Sequence, residues 1–117
     1  MGYLAAKLSL VADKSQIRSE ILEAVAKIVS RVDEIERVFL FGSVLTDKFN
    51  EASDVDLAFI FKVEKIPTEN KSQIYKLTSS LSHPPDILFY GKNAFRDKAM
   101  RGGVSMVINT SGELIYG

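Results

Sequence analysis

The apolar positions Ile17, Ile21, Leu22, Val25, Ile28, Val29 and Val32 recur at steps of three and four, which lays one apolar stripe along an α-helix. Asp13, with Gln16 three residues on, has the order of a capping box and marks the start of that helix. Asp33, Glu34, Glu36 and Arg37 interrupt the pattern, and the short continuous run Val38-Phe39-Leu40-Phe41 then predicts a strand covered on both faces. The chain turns at Gly42. From Ser43 to Ser53 it is polar apart from Val44, Leu45 and Phe49, which suits a short helix capped by Ser43 and then a loop. A second strand runs from the acids Asp54-Val55-Asp56 through Leu57-Ala58-Phe59-Ile60-Phe61.

Pro67 and Thr68 suit the start of a helix with Ile74, Leu77 and Leu81 on its apolar side, ended by Ser82-His83-Pro84-Pro85. Asp86-Ile87-Leu88-Phe89-Tyr90 predicts a third strand. Asn93 is expected to cap a short helix carrying Phe95, Ala99 and Met100, stopped by Gly102-Gly103. Val104 to Ile108 and Leu114 to Tyr116 are expected to form a terminal hairpin around Asn109-Thr110-Ser111-Gly112. Helices interleaved with strands predict an α/β sandwich. There is no internal repeat, low-complexity tract or linker.

With 117 residues, 46% of them apolar, the chain is expected to form one domain over 1–117 whose core needs no disulfide or structural metal. It has no cysteine, which excludes thiol nucleophiles and thiolate zinc sites and is compatible with a reducing cytoplasm. Fifteen basic and fifteen acidic side chains balance to zero, so there is no electrostatic footprint for a nucleic-acid polymer, and a small substrate or a protein partner is favoured. The apolar stretch Tyr3 to Ala12 is short and interrupted by Lys7, so it reads as neither a membrane span nor a signal peptide. It is expected to pack on the domain or on a second copy of it, as in a homo-oligomer.

Candidate chemistry gathers at the strand ends. On a strand, Asp54 and Asp56 project from one side, and Asp86 opens a neighbouring run. Three carboxylates suit a hard divalent cation such as Mg²⁺, which takes oxygen ligands and binds phosphates beside one or two carboxylates. Two such ions about 3.5–4 Å apart serve the attacking and leaving oxygens of a phosphoryl displacement. Asp54 and Asp56 are the bridging ligands in this reading, and Asp86 completes one metal site and is the general-base candidate. Gly42, with no Cβ, lets backbone amides approach phosphate oxygens, while Ser43 offers a hydroxyl and a helix-start amide. The P-loop and dinucleotide fingerprints are absent.

Gly42-Ser43, then Asp54-Val55-Asp56-Leu57, then a distant Asp86 among apolar residues resembles the DNA polymerase β-type nucleotidyltransferase superfamily, and within it the minimal nucleotidyltransferases. The similarity runs over nearly the whole length, including the closing Gly112-Glu113-Leu114-Ile115-Tyr116. It implies an α+β fold with a mixed β-sheet flanked by helices. It also implies Mg²⁺-dependent transfer of NMP, AMP foremost, from a nucleoside triphosphate such as ATP to a hydroxyl. Gly42 and Ser43 are then phosphate contacts, and Asp54, Asp56 and Asp86 metal ligands. Many members are toxin–antitoxin partners of a helical HEPN-type ribonuclease, some adenylylating it, so the resemblance also implies a helical protein partner. One departure stands out: where the family commonly has Ala-Arg-Gly, this chain has Leu45-Thr46-Asp47, removing a cation near the phosphates. The alternative function is therefore a weakly active or inactive binding module that sequesters a toxin or pairs with a helical substrate-binding protein.

Other residues read as structural. His83, before Pro84-Pro85, is a loop residue rather than a base. Phe39, Phe41, Phe59, Phe61 and Phe89 read as core packing, with Tyr90 and Tyr116 the possible stacking exceptions. Lys62, Lys65, Lys71 and Lys76 are interspersed with Glu64 and Glu69, as on an ordinary solvated face.

Overall fold

The computed structural model describes residues 14–42 and 55–117. The N-terminal apolar stretch, Asp13, the expected helix after Ser43, Leu45-Thr46-Asp47 and Asp54 lie outside the described residues. In chain order the elements are α1 (Lys14–Arg31), β1 (Ile35–Phe41), β2 (Asp56–Phe61), α2 (Thr68–Thr78), β3 (Asp86–Gly91), α3 (Lys92–Arg101), α4 (Val104–Ser111) and β4 (Glu113–Tyr116). The four strands form one sheet in the order β3-β2-β1-β4. β1 runs antiparallel to β2 and to β4, whereas β2 and β3 are parallel. This is the mixed sheet with flanking helices, an α+β fold. Among the described residues no helix is long and apolar enough to cross a membrane.

The continuous apolar runs of β1 and β2 follow from burial on both sides. One face carries Val38, Leu40, Leu57, Phe59 and Phe61, which pack with Ile17, Ile21, Val25 and Ile28 of α1 and Ile74 of α2. The opposite face carries Phe39, Ala58 and Ile60, which pack with Phe95 of α3 and Ile108 of α4. Phe59, Phe61, Ile28 and Ile108 are removed from solvent almost entirely, and each such side chain stabilises by roughly 1.5–3 kcal/mol relative to exposure. Edge strand β4 is tied to α1 by an ion pair in which the Arg18 guanidinium donates to Glu113. That hydrogen bond, with the attraction between the charges, holds Arg18 above the ordinary guanidinium range.

Four details differ from expectation. The terminal hairpin is absent: Val104 to Ser111 is helical, and β4 pairs with β1 instead. β-branched residues favour a strand locally, but only Ser105 and Ile108, one helical turn apart, are buried, while Val104, Met106 and Val107 face solvent. Docking Ile108 against Phe39 and Phe95 overrides the local preference. Gly102 and Gly103, at φ 96° and 80°, make the turn that separates α4 from α3.

The cap of α3 also differs. Asn93 lies inside the helix, and its Oδ1 accepts a hydrogen bond from Arg96. The Glu64 carboxylate accepts from the backbone N–H groups of Asn93 and Ala94 at 2.9 and 3.0 Å, satisfying two donors that helix geometry leaves over. Replacing Glu64 by Ala is expected to lower stability by about 1 kcal/mol. Thermal unfolding would show this as a lower midpoint, and an unchanged midpoint would mean the cap contributes nothing.

Strand β1 begins at Ile35 rather than Val38. Its register against β2 slips between Ile35, paired with Phe61, and Arg37, paired with Ile60. Glu36 is the additional residue of a β-bulge, which lets Ile35 and Val38 enter the same core and places Arg37 on the face of Phe39. Finally, α2 ends at Thr78 with Ser79 as its C-cap, and Leu81 packs on the core from beyond the helix.

Candidate active site

The topology brings the motif residues to one end of the sheet. β1 is antiparallel to β2, so its C-terminal end meets the N-terminal end of β2, and Phe41 pairs with Asp56. β3 is parallel to β2, so their N-terminal ends lie together, and Asp56 pairs with Asp86. The start of β3 is held there by the Asp86 N–H, which donates to the Val55 carbonyl at 2.8 Å. Strands separated by far more sequence than space thus set two carboxylates side by side, on strands roughly 4.8 Å apart.

Register also fixes their face. Asp56 and Asp86 alternate in phase with Ala58, Ile60 and Tyr90, so both lie on the sheet face covered further along by α3 and α4. Asp56 is half-buried and Asp86 exposed. Leu88, next after Asp86 on this face, is 36% exposed, whereas α3 and α4 pack further along, against Phe39, Ala58 and Ile60. Leu88 lies in the apolar run that predicts this strand; alternation shows which residues share a face, but not where the cover on that face stops.

Gly42 closes the arrangement from β1. Its φ is +94°, a left-handed value that L side chains rarely adopt. A Cβ built there would lie 2.1 Å from Asp56 Oδ2 and 3.2 Å from its Cγ. The Asp56 carboxylate therefore fills the space that any other residue at 42 would need. The glycine was expected from its turn; the contact with Asp56 is new.

Of the residues singled out in the sequence, the structure brings together Gly42, Asp56 and Asp86; Ser43 and Asp54 lie outside the described residues. Among the described residues no three His, Cys, Asp or Glu side chains cluster as a metal site. The pair Asp56–Asp86 supplies carboxylate oxygens, the donor type that hard divalent cations take. The aromatic residues behave as packing: Phe59 and Phe89 stack at 6.2 Å, and Tyr90 meets Phe95 edge-on at 5.3 Å.

Three comparisons with known proteins bear on the family and the fold. A protein from Methanocaldococcus jannaschii, provisionally named a protein adenylyltransferase, is 38% identical over 72 residues, covering 59% of this chain and 71% of that one. The crystal structure of a provisionally named nucleotidyltransferase from Sulfolobus solfataricus superposes with a TM-score of 0.57 at 17% identity, over 73% of this chain and 75% of that one, and shows the same fold. Residues 23–116, from the middle of α1 through β4, match the family model described as polymerase beta, nucleotidyltransferase. With Asp56 and Asp86 in register beneath Gly42 and this match spanning most of its length, the chain belongs to the polymerase beta nucleotidyltransferase family, a family of transferases.

Proposed function

We propose that this protein transfers AMP from ATP to a hydroxyl group of a partner protein, the hydroxyl oxygen bonding to the α-phosphorus as the bond to the β-phosphate breaks and pyrophosphate leaves, with the Gly42–Asp56–Asp86 end of the sheet as its active site. The in-register pairing of Asp56 with Asp86 carries the reading. The name of the M. jannaschii relative supports a protein acceptor and an adenylyl donor. The resemblance read from the motifs extends the partner to a small helical protein of the HEPN class.

The residues fit a divalent cation. Two carboxylates stand side by side at one end of the sheet, and the missing side chain at 42 leaves room for one of them. Asp56 and Asp86, with Asp54, would hold Mg²⁺, which when bound neutralises charge on the triphosphate and lowers the acceptor hydroxyl's pKa. The chain's own contribution is position. In this reading β2 and β3 hold Asp56 and Asp86 on a rigid sheet rather than a loop, Gly42 and Ser43 receive phosphate oxygens, and Asp86, the exposed acid, takes the acceptor's proton. Leu88 offers apolar surface beside Asp86 for the body of the acceptor.

The test is incubation with α-labelled ATP, Mg²⁺ and a co-expressed helical partner. Label on the partner, dependent on divalent metal and lost with EDTA, is the expected result. A partner that binds tightly but acquires no label at any metal concentration would favour a binding module instead.

A further inference from the structure

A polar cavity lies on the α3/α4 face, away from the acids. It has a volume of about 470 Å³, within the range of small-ligand sites, and its wall includes Arg37, Lys92 and Arg96 against one acid, Glu36. Arg37 and Phe41 are four residues apart on β1 and Phe41 pairs with Asp56, so the cavity stands roughly 13 Å along the strand from the acidic pair.

Arg37 is the unusual member. The bulge at Glu36 turns it onto this face, where its guanidinium lies over the rings of Phe39 and Phe95 at 5.5 and 5.6 Å. The two rings stack on each other at 5.8 Å, and Phe95 is buried, so the platform beneath the cation is rigid. Among the described residues none of the three cations makes an ion pair, and Arg37 donates no hydrogen bond to protein. A planar guanidinium held by ring faces, with its fork of donors unspent, is preorganised for bidentate contact with an oxyanion. Lys92 and Arg96, four apart on the first turns of α3, add two charges to the same wall. The N-terminal amides of α3 take no part, because Glu64 already occupies them.

We infer that this cavity binds a small phosphate-bearing anion on Arg37, Lys92 and Arg96, separately from the nucleotide site. Met100, 82% exposed at the rim, offers apolar surface to an organic body attached to the phosphate. The inference does not depend on the proposed transfer reaction.

The experiment is an NMR titration of ¹⁵N-labelled protein in EDTA with inorganic phosphate and, separately, AMP. Saturable shifts are expected at the Arg37, Arg96, Ala99 and Asn109 amides and at the Arg37 side chain, weakening as salt is raised. Lys92→Gln/Arg96→Gln changes two exposed residues, so it leaves the packing intact, and it is expected to weaken binding at least about tenfold. Arg37→Lys keeps the charge but loses the fork, and it too should weaken binding. Asp56→Asn should leave the titration unchanged, which separates this site from the nucleotide site. Tighter binding of AMP than of phosphate would show that the organic body contributes; equal binding would identify free phosphate as the ligand. Absence of saturable shifts at these amides, or equal affinity in the Lys92→Gln/Arg96→Gln protein, overturns the inference.

Discussion

Asp56→Asn is expected to lower AMP transfer by about 10²–10³-fold, the loss seen when one charge-stabilising group is removed from a preorganised site. Asn has nearly the shape of Asp, so the half-buried position stays filled and the strand register is kept. What disappears is one of two negative charges that the sheet holds in register. Like charges directly opposite on neighbouring strands oppose one another. Because the substitution keeps the shape of the side chain, the metal-free Asp56→Asn protein is expected to fold while being far less active. Mg²⁺ binds only where the carboxylates are folded together, so adding it should raise the thermal midpoint of the parent. It should raise that of Asp56→Asn much less. Initial rates with labelled ATP and melting curves with and without Mg²⁺ provide both readings. A variant that transfers at the parental rate would remove Asp56 from the site, and one that melts well below the parent would make its role structural. Asp86→Asn should behave alike in rate, with a smaller change in stability because Asp86 is already exposed.

Gly42→Ala should damage both stability and activity. A non-glycine residue held at φ +94° carries strain of about 1–3 kcal/mol, which in a domain of this size lowers the midpoint by several degrees. In addition, the new methyl group cannot coexist with Asp56 Oδ2 at 2.1 Å, so the carboxylate must swing away or the turn must open. Displacing a positioned group by about 1 Å can cost around 10²-fold in rate. The expected protein is folded, less stable, and about a hundredfold slower even when assayed well below its midpoint. Assay temperature separates the two effects, since a rate restored by cooling would mean that Gly42 serves only the fold. Gly42→Ala thus acts on fold and rate together, whereas Asp56→Asn is aimed at rate and metal binding.

The strands were legible because burial on both faces leaves a continuous apolar run, and Val38 to Phe41 and Leu57 to Phe61 carry that mark. The stripe of α1 was legible from Ile17 to Val32 because one face of that helix meets the sheet. Where cover is partial, the signal weakens. Val104 to Ile108 looks like a strand because three of its five residues are β-branched, yet it is a helix because the docking of Ile108 decides the outcome in three dimensions. Nor could the Glu64 cap be read, since its partners at Asn93 and Ala94 lie beyond an intervening helix and strand. The bulge that re-aims Arg37 was hidden for a different reason. Glu36 and Arg37 look like a break in the pattern, and only pairing against Phe61 and Ile60 shows that the strand runs through them.

By itself the sequence determined the ingredients: the residue types able to hold metal and phosphate, the turn glycine, and an apolar pattern sufficient for an α+β core with no cysteine chemistry. Local pattern carries these because side-chain chemistry and strand or helix periodicity belong to neighbouring residues. The tertiary structure decided which ingredients meet. Only an antiparallel β1–β2 pairing combined with a parallel β2–β3 pairing puts the end of one strand beside the beginnings of two others, and so sets Gly42, Asp56 and Asp86 at one edge. Strand direction and register follow from how the two cores close on the sheet, a long-range outcome that no window of the sequence contains.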